Sequence, residues 1–122
     1  MKASELRIGN YVLKHNEFMV KATALKGLYE LFEDLEKGLI KPVPLTKELL
    51  LKFGFYESDK RRNRFIEENL DFEIEFQGNE VAYCLWDADF PSLTHFIGHC
   101  KYVHSLQNLY FALTGEELIL SN

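Results

Sequence analysis

The stretch VHSLQNLYFALT, residues 103–114, decides the fold more than any other part of the chain. Its apolar side chains recur at helical spacing, on one stripe of a helix rather than on alternate sides of a strand. Gly115 follows directly, and glycine is the residue that most often ends a helix. The sequence therefore predicts a helix, Val103–Thr114, that packs an apolar stripe against a sheet. That stripe comprises Val103, Leu106, Leu109, Tyr110, Ala112 and Leu113.

A second stripe on the same helix is mainly polar and consists of His104, Gln107, Asn108 and Phe111. Side-chain amides both donate and accept hydrogen bonds, so they suit an unpaired sheet edge. We therefore favour the interpretation that this stripe fixes how the helix docks on the sheet. Two alternatives stay open: a solvated surface, or a binding site for a partner that these residues form together with Trp86.

Upstream of this helix, the sequence predicts an antiparallel hairpin. Residues 71–77 alternate polar and apolar side chains, residues 78–79 are the turn signal Gly-Asn, and residues 80–86 form the returning strand. The returning strand is apolar on both faces, which predicts a central place in the sheet. Residues 93–100 predict a further strand, and residues 116–120 predict a short final one.

The N-terminal third predicts a second hairpin. Residues 8–13 and 17–24 have the composition of short strands and flank the turn signal His15-Asn16. Two such strands suggest the opening of a small SH3-like barrel. Residues 28–35 fit both helical and strand periodicity, with glycines on either side. We favour a strand there, because a third strand would extend the hairpin.

A second helix is predicted over residues 46–53. The prolines of KPVP, residues 41–44, keep the preceding chain extended. Thr46 is a suitable N-cap, and Gly54 is placed to end the helix. Its apolar residues lie on one stripe, so we expect this helix to serve the core.

Length and composition indicate one domain, residues 1–122, because a chain of this length supports one core and 47% of it is hydrophobic. The predicted fold class is α+β: a mainly antiparallel sheet or small SH3-like barrel with two packed helices, at about 46–53 and 103–114. The net charge of −5 argues against a phosphate-backbone binder. Cys84 and Cys100 form no disulfide framework, and no leader or membrane-length apolar segment is visible, so we expect a cytoplasmic protein without membrane contact.

Three segments carry a family resemblance: IGNYV at 8–12, KPVPLTKELLLKFGF at 41–55 and KYVHSLQNLYFALTGEEL at 101–118. They resemble, in this order, a family of small uncharacterised proteins from gut-associated bacteria, often encoded near prophages or other mobile elements. The resemblance implies a shared fold and no established activity, so it brings no catalytic residues. Val43 and Ser105 stand where the bulkier Ile and Gln would be expected, and the helical prediction is unaffected.

His95, His99, Cys100 and His104 form the cluster most suggestive of metal chemistry, because imidazole and thiolate both suit zinc. The spacing argues against a site: on a predicted strand, His95 and His99 lie about 13 Å apart at roughly 3.3 Å per residue. A closed site would need a bend at Gly98. We therefore predict no metal and no cofactor, and His95, His99 and His104 are only weak candidates.

The only basic run comprises Lys60, Arg61, Arg62 and Arg64. Such a run would suit phosphates, and aromatic residues nearby would stack on bases. Carboxylates on both sides cancel most of its field beyond a Debye length. We favour a solvated hairpin loop and keep a nucleic-acid contact as the alternative.

No catalytic motif stands out from these patterns, so the sequence predicts a protein that is not an enzyme. The working hypothesis is a non-enzymatic binding or accessory module of a mobile element that engages a protein partner, with self-association left open. One alternative is a nucleic-acid-associated module that uses the basic run Lys60, Arg61, Arg62 and Arg64. The other is a metal- or thiol-dependent enzyme around residues 95–104.

Overall fold

The described residues form two compact units in the computed structural model. Residues 1–59, 63–67, 72–77, 81–87 and 94–121 are described. The first unit consists of Met1–Pro44 and Tyr102–Glu117, and the second of Leu45–Lys101 and Leu118–Asn122. Each unit combines an antiparallel sheet with helix, which confirms the α+β class. The single domain over residues 1–122 stays a prediction.

The first unit contains three short strands: β1 (Tyr11–Lys14), β2 (Phe18–Lys21) and β3 (Ile40–Pro42). They form an antiparallel sheet in the order β2–β1–β3, and β1 with β2 is the predicted N-terminal hairpin. His15 and Asn16 in its turn have φ angles of 55° and 59°, in the left-handed region that asparagine tolerates. Of the two predicted architectures, the antiparallel sheet is observed, and the described strands form no closed SH3-like barrel.

Helix α1 (Leu25–Glu36) occupies the segment for which we favoured a strand, so the strand prediction for residues 28–35 was wrong. Leu28 and Leu31 are buried, and Phe32 and Leu35 pack partly buried against the same core. A strand would have sent Leu28 and Leu31 to opposite faces, whereas a helix buries both. Each buried leucine stabilises the fold by roughly 1.5–3 kcal/mol, which decides the conformation. The core cluster consists of Leu6, Val12, Ala22, Leu28, Leu31 and Ile40.

Helix α3 (Val103–Thr114) has the predicted bounds. Gly115 ends it in the left-handed conformation, with φ 74°, and donates its N–H to the Phe111 carbonyl at 2.8 Å. Half of the apolar stripe is buried, whereas Ala112 and Leu113 near the C-terminal end are exposed, Leu113 to 36%. The buried members of the stripe are Val103, Leu106 and Tyr110.

The described residues of the second unit form five strands: β4 (Tyr56–Glu57), β5 (Arg64–Glu67), β6 (Phe72–Gln77), β7 (Val81–Asp87) and β8 (Thr94–Cys100). They pair antiparallel in chain order, so β6 and β7 form the predicted hairpin and β7 lies between two neighbours, as predicted. The predicted turn at residues 78–79 lies outside the described residues. The rings of Phe65 and Phe76 pack edge to face with centroids 5.9 Å apart, inside this unit's core.

Helix α2 (Lys47–Lys52) confirms the prediction of a helix at about 46–53. Thr46 is its N-cap, and the Thr46 hydroxyl accepts a hydrogen bond from the Leu49 N–H at 3.2 Å. Leu50 of this helix is fully buried. Gly54, two residues after the end of the helix, has a φ angle of 95°. Among the described residues, no helix is long and apolar enough to cross a membrane.

The short final strand predicted over residues 116–120 was wrong, because the chain there is irregular. Leu118 is the buried residue of this segment. Ser121 holds the segment in place by hydrogen bonds. The N–H and the hydroxyl of Ser121 both donate to the Lys52 carbonyl at 2.8 Å. The tail therefore caps the end of α2 instead of joining a sheet.

Candidate functional site

The polar stripe of α3 is a docking surface for the N-terminal segment, and Gln107 is its centre. The Gln107 side chain is 0% exposed. Its Nε2 donates to the Gly9 carbonyl at 2.8 Å, and its Oε1 accepts from the Tyr11 N–H at 2.9 Å. One amide thus pairs with the backbone at the start of β1 as a neighbouring strand would. The predicted docking role of the stripe is confirmed.

Asn108 extends the same network by one step. Its Nδ2 donates to the Glu5 carbonyl at 2.7 Å, and its Oδ1 accepts from Asn10 Nδ2 at 2.9 Å. Asn10 is itself completely buried, and its own Oδ1 accepts from the Arg7 N–H at 2.7 Å. The irregular segment before β1 is therefore held by side-chain amides rather than by a sheet ladder.

Arg7 covers the C-terminal part of the stripe. The centre of its guanidinium lies 4.5 Å from the centre of the Phe111 ring, a cation–π contact. Its Nη2 donates to the Gln107 carbonyl at 3.1 Å and to Glu117 Oε2 at 3.2 Å. A second bond joins Arg7 Nη1 to Glu117 Oε1, so the ion pair is bidentate.

His104 completes the stripe at its N-terminal end. The imidazole is 1% exposed, its Nε2 lies 3.1 Å from Glu5 Oε1, and its ring stacks on Tyr102 with centroids 5.9 Å apart. Within the described part of the chain, its buried Nδ1 has no hydrogen-bond partner. The Lys2 N–H and then the His104 imidazole lower the pKa of the Glu5 carboxyl below its ordinary value.

The lowered pKa of Glu5 predicts a stability difference at acidic pH. A carboxylate favoured in the folded state stabilises the protein above the ordinary pKa of 4.5, and this stabilisation is lost as the pH falls through the lowered folded pKa. The effect should stay below about 1 kcal/mol, because the Glu5 side chain is 42% exposed. Urea titrations of wild type and Glu5→Gln at neutral and acidic pH should show a difference that shrinks in acid. A difference that grows in acid would contradict the assignment.

The polar stripe of α3 therefore stabilises the fold, and its buried side chains are not available to a ligand. Gln107 and His104, at 0% and 1% exposure, are closed to an outside molecule, whereas Phe111 is 42% exposed. Trp86, the fifth residue of the predicted binding set, lies on β7 in the second unit, and its side chain is outside the described part.

The candidate metal ligands are not assembled in the residues that the structure describes. His95 and His99 lie on β8, as predicted, and Cys100 ends that strand with a buried thiol. Among described residues, no group of three or more His, Cys, Asp or Glu side chains is placed to hold a metal ion. His104 is engaged with Glu5. These positions give no geometric support to metal chemistry.

Arg64, one of the four basic residues of the nucleic-acid alternative, is enclosed in the second unit's sheet. Its Nη1 lies 3.1 Å from Glu73 Oε2, its Nη2 lies 3.3 Å from Glu75 Oε2, and its side chain is 11% exposed. The register of β5 and β6 places Arg64 opposite Glu75. Its guanidinium thus neutralises two carboxylates instead of facing solvent. The other three residues, Lys60, Arg61 and Arg62, lie outside the described residues.

The outer face of α1 is the surface that sequence reasoning missed, because a strand was favoured there. It consists of Leu25, Lys26, Tyr29, Glu30 and Glu33, which line a shallow concavity of about 570 Å³. Leu25 is 56% exposed and Tyr29 is 58% exposed. Helical spacing would have revealed it, since Leu25, Tyr29 and Glu33 recur every four residues opposite the core side.

The charge of this face is distinctive. Helix α1 carries one lysine and four carboxylates, a net charge of −3. One carboxylate, Asp34, is paired with Lys14 at 3.3 Å. Glu30 and Glu33 stay beside the exposed Leu25 and Tyr29. Lys26 lines the same concavity, so the face is an apolar strip bordered by two carboxylates and one ammonium, with a net charge of −1.

Comparisons with known proteins add no assignment. No family model, no curated protein sequence and no solved structure matches this chain. The resemblance to a gut-bacterial family stays a prediction.

Proposed function

We propose that the protein is a non-enzymatic binding module that engages a protein partner through the outer face of α1. The observation that carries the proposal is the exposure of Leu25 and Tyr29, at 56% and 58%, side by side on one helix face. Tyrosine is among the residues that most often dominate the binding energy at protein interfaces. Covering them removes apolar surface from water and favours association.

The negative balance of this border specifies the chemistry of the partner. Glu30 and Glu33 outnumber Lys26 on the face, and α1 as a whole is negative. A complementary surface presents apolar side chains to the strip and Lys or Arg to the two carboxylates. A basic amphipathic helix meets both requirements, because it places apolar and cationic residues on adjoining faces. We therefore assign a basic amphipathic helical segment as the occupant.

The polar side chains of α3 favour a binding role over a catalytic one, because they are already engaged in contacts within the fold. Gln107 is hydrogen-bonded to Gly9 and Tyr11, and His104 lies against Glu5, both inside the first unit. The family resemblance supports a place as an accessory module of a mobile element. That part of the proposal rests on the resemblance alone.

Binding of basic amphipathic helical peptides tests the proposal. We expect calorimetry to show binding of such peptides by the wild-type protein and weaker binding of acidic counterparts. The double variant Leu25→Ser/Tyr29→Ser should lose about tenfold or more in affinity, since an interface tyrosine is worth on the order of 2 kcal/mol. Glu30→Lys/Glu33→Lys should reverse the preference toward acidic peptides.

Leu51→Ser is the matched control, because Leu51 on α2 is 53% exposed, much as Leu25 is. It should leave peptide affinity unchanged. If the Leu25/Tyr29 variant binds every peptide as the wild type does, the face is not the site. Denaturation curves of each variant should match the wild type, since the substituted side chains are exposed.

A further inference from the structure

The outer edge of β2 is the second unusual surface of the first unit. In the order β2–β1–β3, β2 is an edge strand, and no described strand lies on its outer side. Phe18 is 48% exposed and Met19 is 37% exposed. Edge strands of natural proteins are usually protected from pairing with another chain by proline, a bulge, charged side chains or short length. From Phe18 to Lys21, β2 has no proline and no bulge, and Lys21 is its one charged residue.

The opposite edge of the sheet is protected. β3 ends in Pro42, which has no N–H to donate to a further strand. Ile40 at the other end of β3 is 3% exposed and belongs to the core. The two edges therefore differ in their capacity to accept a further strand, and β2 is the open one.

The hydrogen-bond direction within the sheet follows from one contact beside β1. The His15 N–H donates to the Leu39 carbonyl, on the β3 side, at 2.9 Å. Alternate residues of an antiparallel strand bond to opposite neighbours. Lys14 precedes His15, so its backbone N–H and carbonyl point to the opposite side, toward β2. Val12, two residues before Lys14, points the same way.

The same alternation determines which backbone groups of β2 point outward, away from β1. The partners of Val12 and Lys14 are Val20 and Phe18. The intervening residue, Met19, consequently directs its N–H and carbonyl away from β1, and the N–H of Lys21 follows the same direction. These are the groups that a further strand would meet.

The residues along this edge are complementary to themselves. The sequence from 17 to 21 is EFMVK, with a carboxylate at one end and an ammonium at the other. When two such strands run antiparallel about Met19, Glu17 of each lies opposite Lys21 of the other. Phe18 of each lies opposite Val20. Opposite charges and aromatic–aliphatic pairs are both favourable cross-strand neighbours.

We propose that β2 pairs antiparallel with the β2 strand of a second copy of this chain, in the register that places Met19 opposite Met19. The Met19 N–H of each copy donates to the Met19 carbonyl of the other, and the Lys21 N–H donates to the Glu17 carbonyl. Two three-stranded sheets become one six-stranded sheet. Lys21 Nζ lies 5.2 Å from the Tyr11 ring centre, on the face that the second copy's Glu17 reaches. The pairing is independent of the outer face of α1.

Charge exchange tests the register. We expect sedimentation equilibrium to show a reversible monomer–dimer equilibrium for the wild type. Glu17→Lys and Lys21→Glu each place like charges opposite each other twice per dimer, and each should weaken the dimer about tenfold or more. The double variant Glu17→Lys/Lys21→Glu restores opposite charges and should return the dissociation constant toward the wild-type value.

Lys41→Glu is the matched control, since it makes the same charge change on β3 and should leave the dimer intact. A wild type that stays monomeric at every concentration overturns the proposal. So does a dimer that both single exchanges leave unchanged, or a double variant as dissociated as the single ones. If an exchange variant fails to fold, amide hydrogen exchange of the wild type decides. Met19 exchange should slow as concentration rises, and exchange independent of concentration overturns the pairing.

Discussion

Replacing Gln107 by glutamate is expected to lower the free energy of unfolding by about 3 kcal/mol or more at neutral pH, since an uncompensated buried charge carries its full desolvation penalty. Glutamate has nearly the shape of glutamine, and one of its oxygens still accepts from the Tyr11 N–H. Its other oxygen replaces the Nε2 that donates to the Gly9 carbonyl at 2.8 Å. Two acceptors then face each other around a side chain that is 0% exposed. Urea denaturation followed by circular dichroism measures the loss.

Acidic pH provides a signature specific to this mechanism. A protonated carboxyl at position 107 has an O–H to donate to the Gly9 carbonyl, so the deficit of Gln107→Glu relative to wild type should shrink in acid. Asn16→Asp adds the same charge at an exposed turn and should cost little at either pH. If Gln107→Glu is as stable as the wild type at neutral pH, the amide does not hold the helix to β1.

The polar stripe of α3 was predicted in part from the sequence. The spacing of Gln107 and Asn108 beside an apolar stripe predicted that the amides bind backbone, and they do. The acceptors and donors on the other side could not be predicted. They belong to the segment from Glu5 to Tyr11, which has no sequence periodicity that would place its polar groups against α3.

The segment that became α1 shows where periodicity alone fails. Leu28, Leu31 and Phe32 fit a helix, while alternate apolar residues also fit a short strand. Packing decides between them, because only the helix brings Leu28 and Leu31 together against Val12 and Ile40 in one core. That choice depends on residues distant in sequence. The incorrect strand prediction also hid the outer face of α1, because that face exists only when the segment is helical.

The first unit divides its functions between its elements. α3 and the N-terminal segment are joined by partly buried hydrogen bonds, so the polar groups that form these bonds stabilise the fold. The outer face of α1 and the edge of β2 each carry exposed apolar side chains, Tyr29 on α1 and Phe18 on β2. A partner on α1 and a second copy on β2 would occupy different surfaces of this unit. Variants of one surface therefore report on that surface alone.

Replacing Arg64 by methionine is expected to destabilise the second unit by about 2 kcal/mol, because the change removes the positive charge that lies beside two partly buried carboxylates. Glu73 and Glu75 are 15% and 30% exposed, and both lie within 3.3 Å of the guanidinium. Methionine keeps much of the apolar stem, so lost charge rather than lost packing dominates. Denaturant titration followed by circular dichroism measures the change.

The compensated variant Arg64→Met/Glu73→Gln/Glu75→Gln separates an ion-pair role from a phosphate-binding role. Neutral amides need no cation, so the triple variant should recover most of the stability lost by Arg64→Met. A gel shift weakened only in the single variant would then reflect unfolding, because the triple variant also lacks Arg64. If Arg64→Met alone is as stable as the wild type, the ion pairs contribute nothing to folding. A shift lost in both variants, with stability restored in the triple one, would return Arg64 to a direct role in binding nucleic acid.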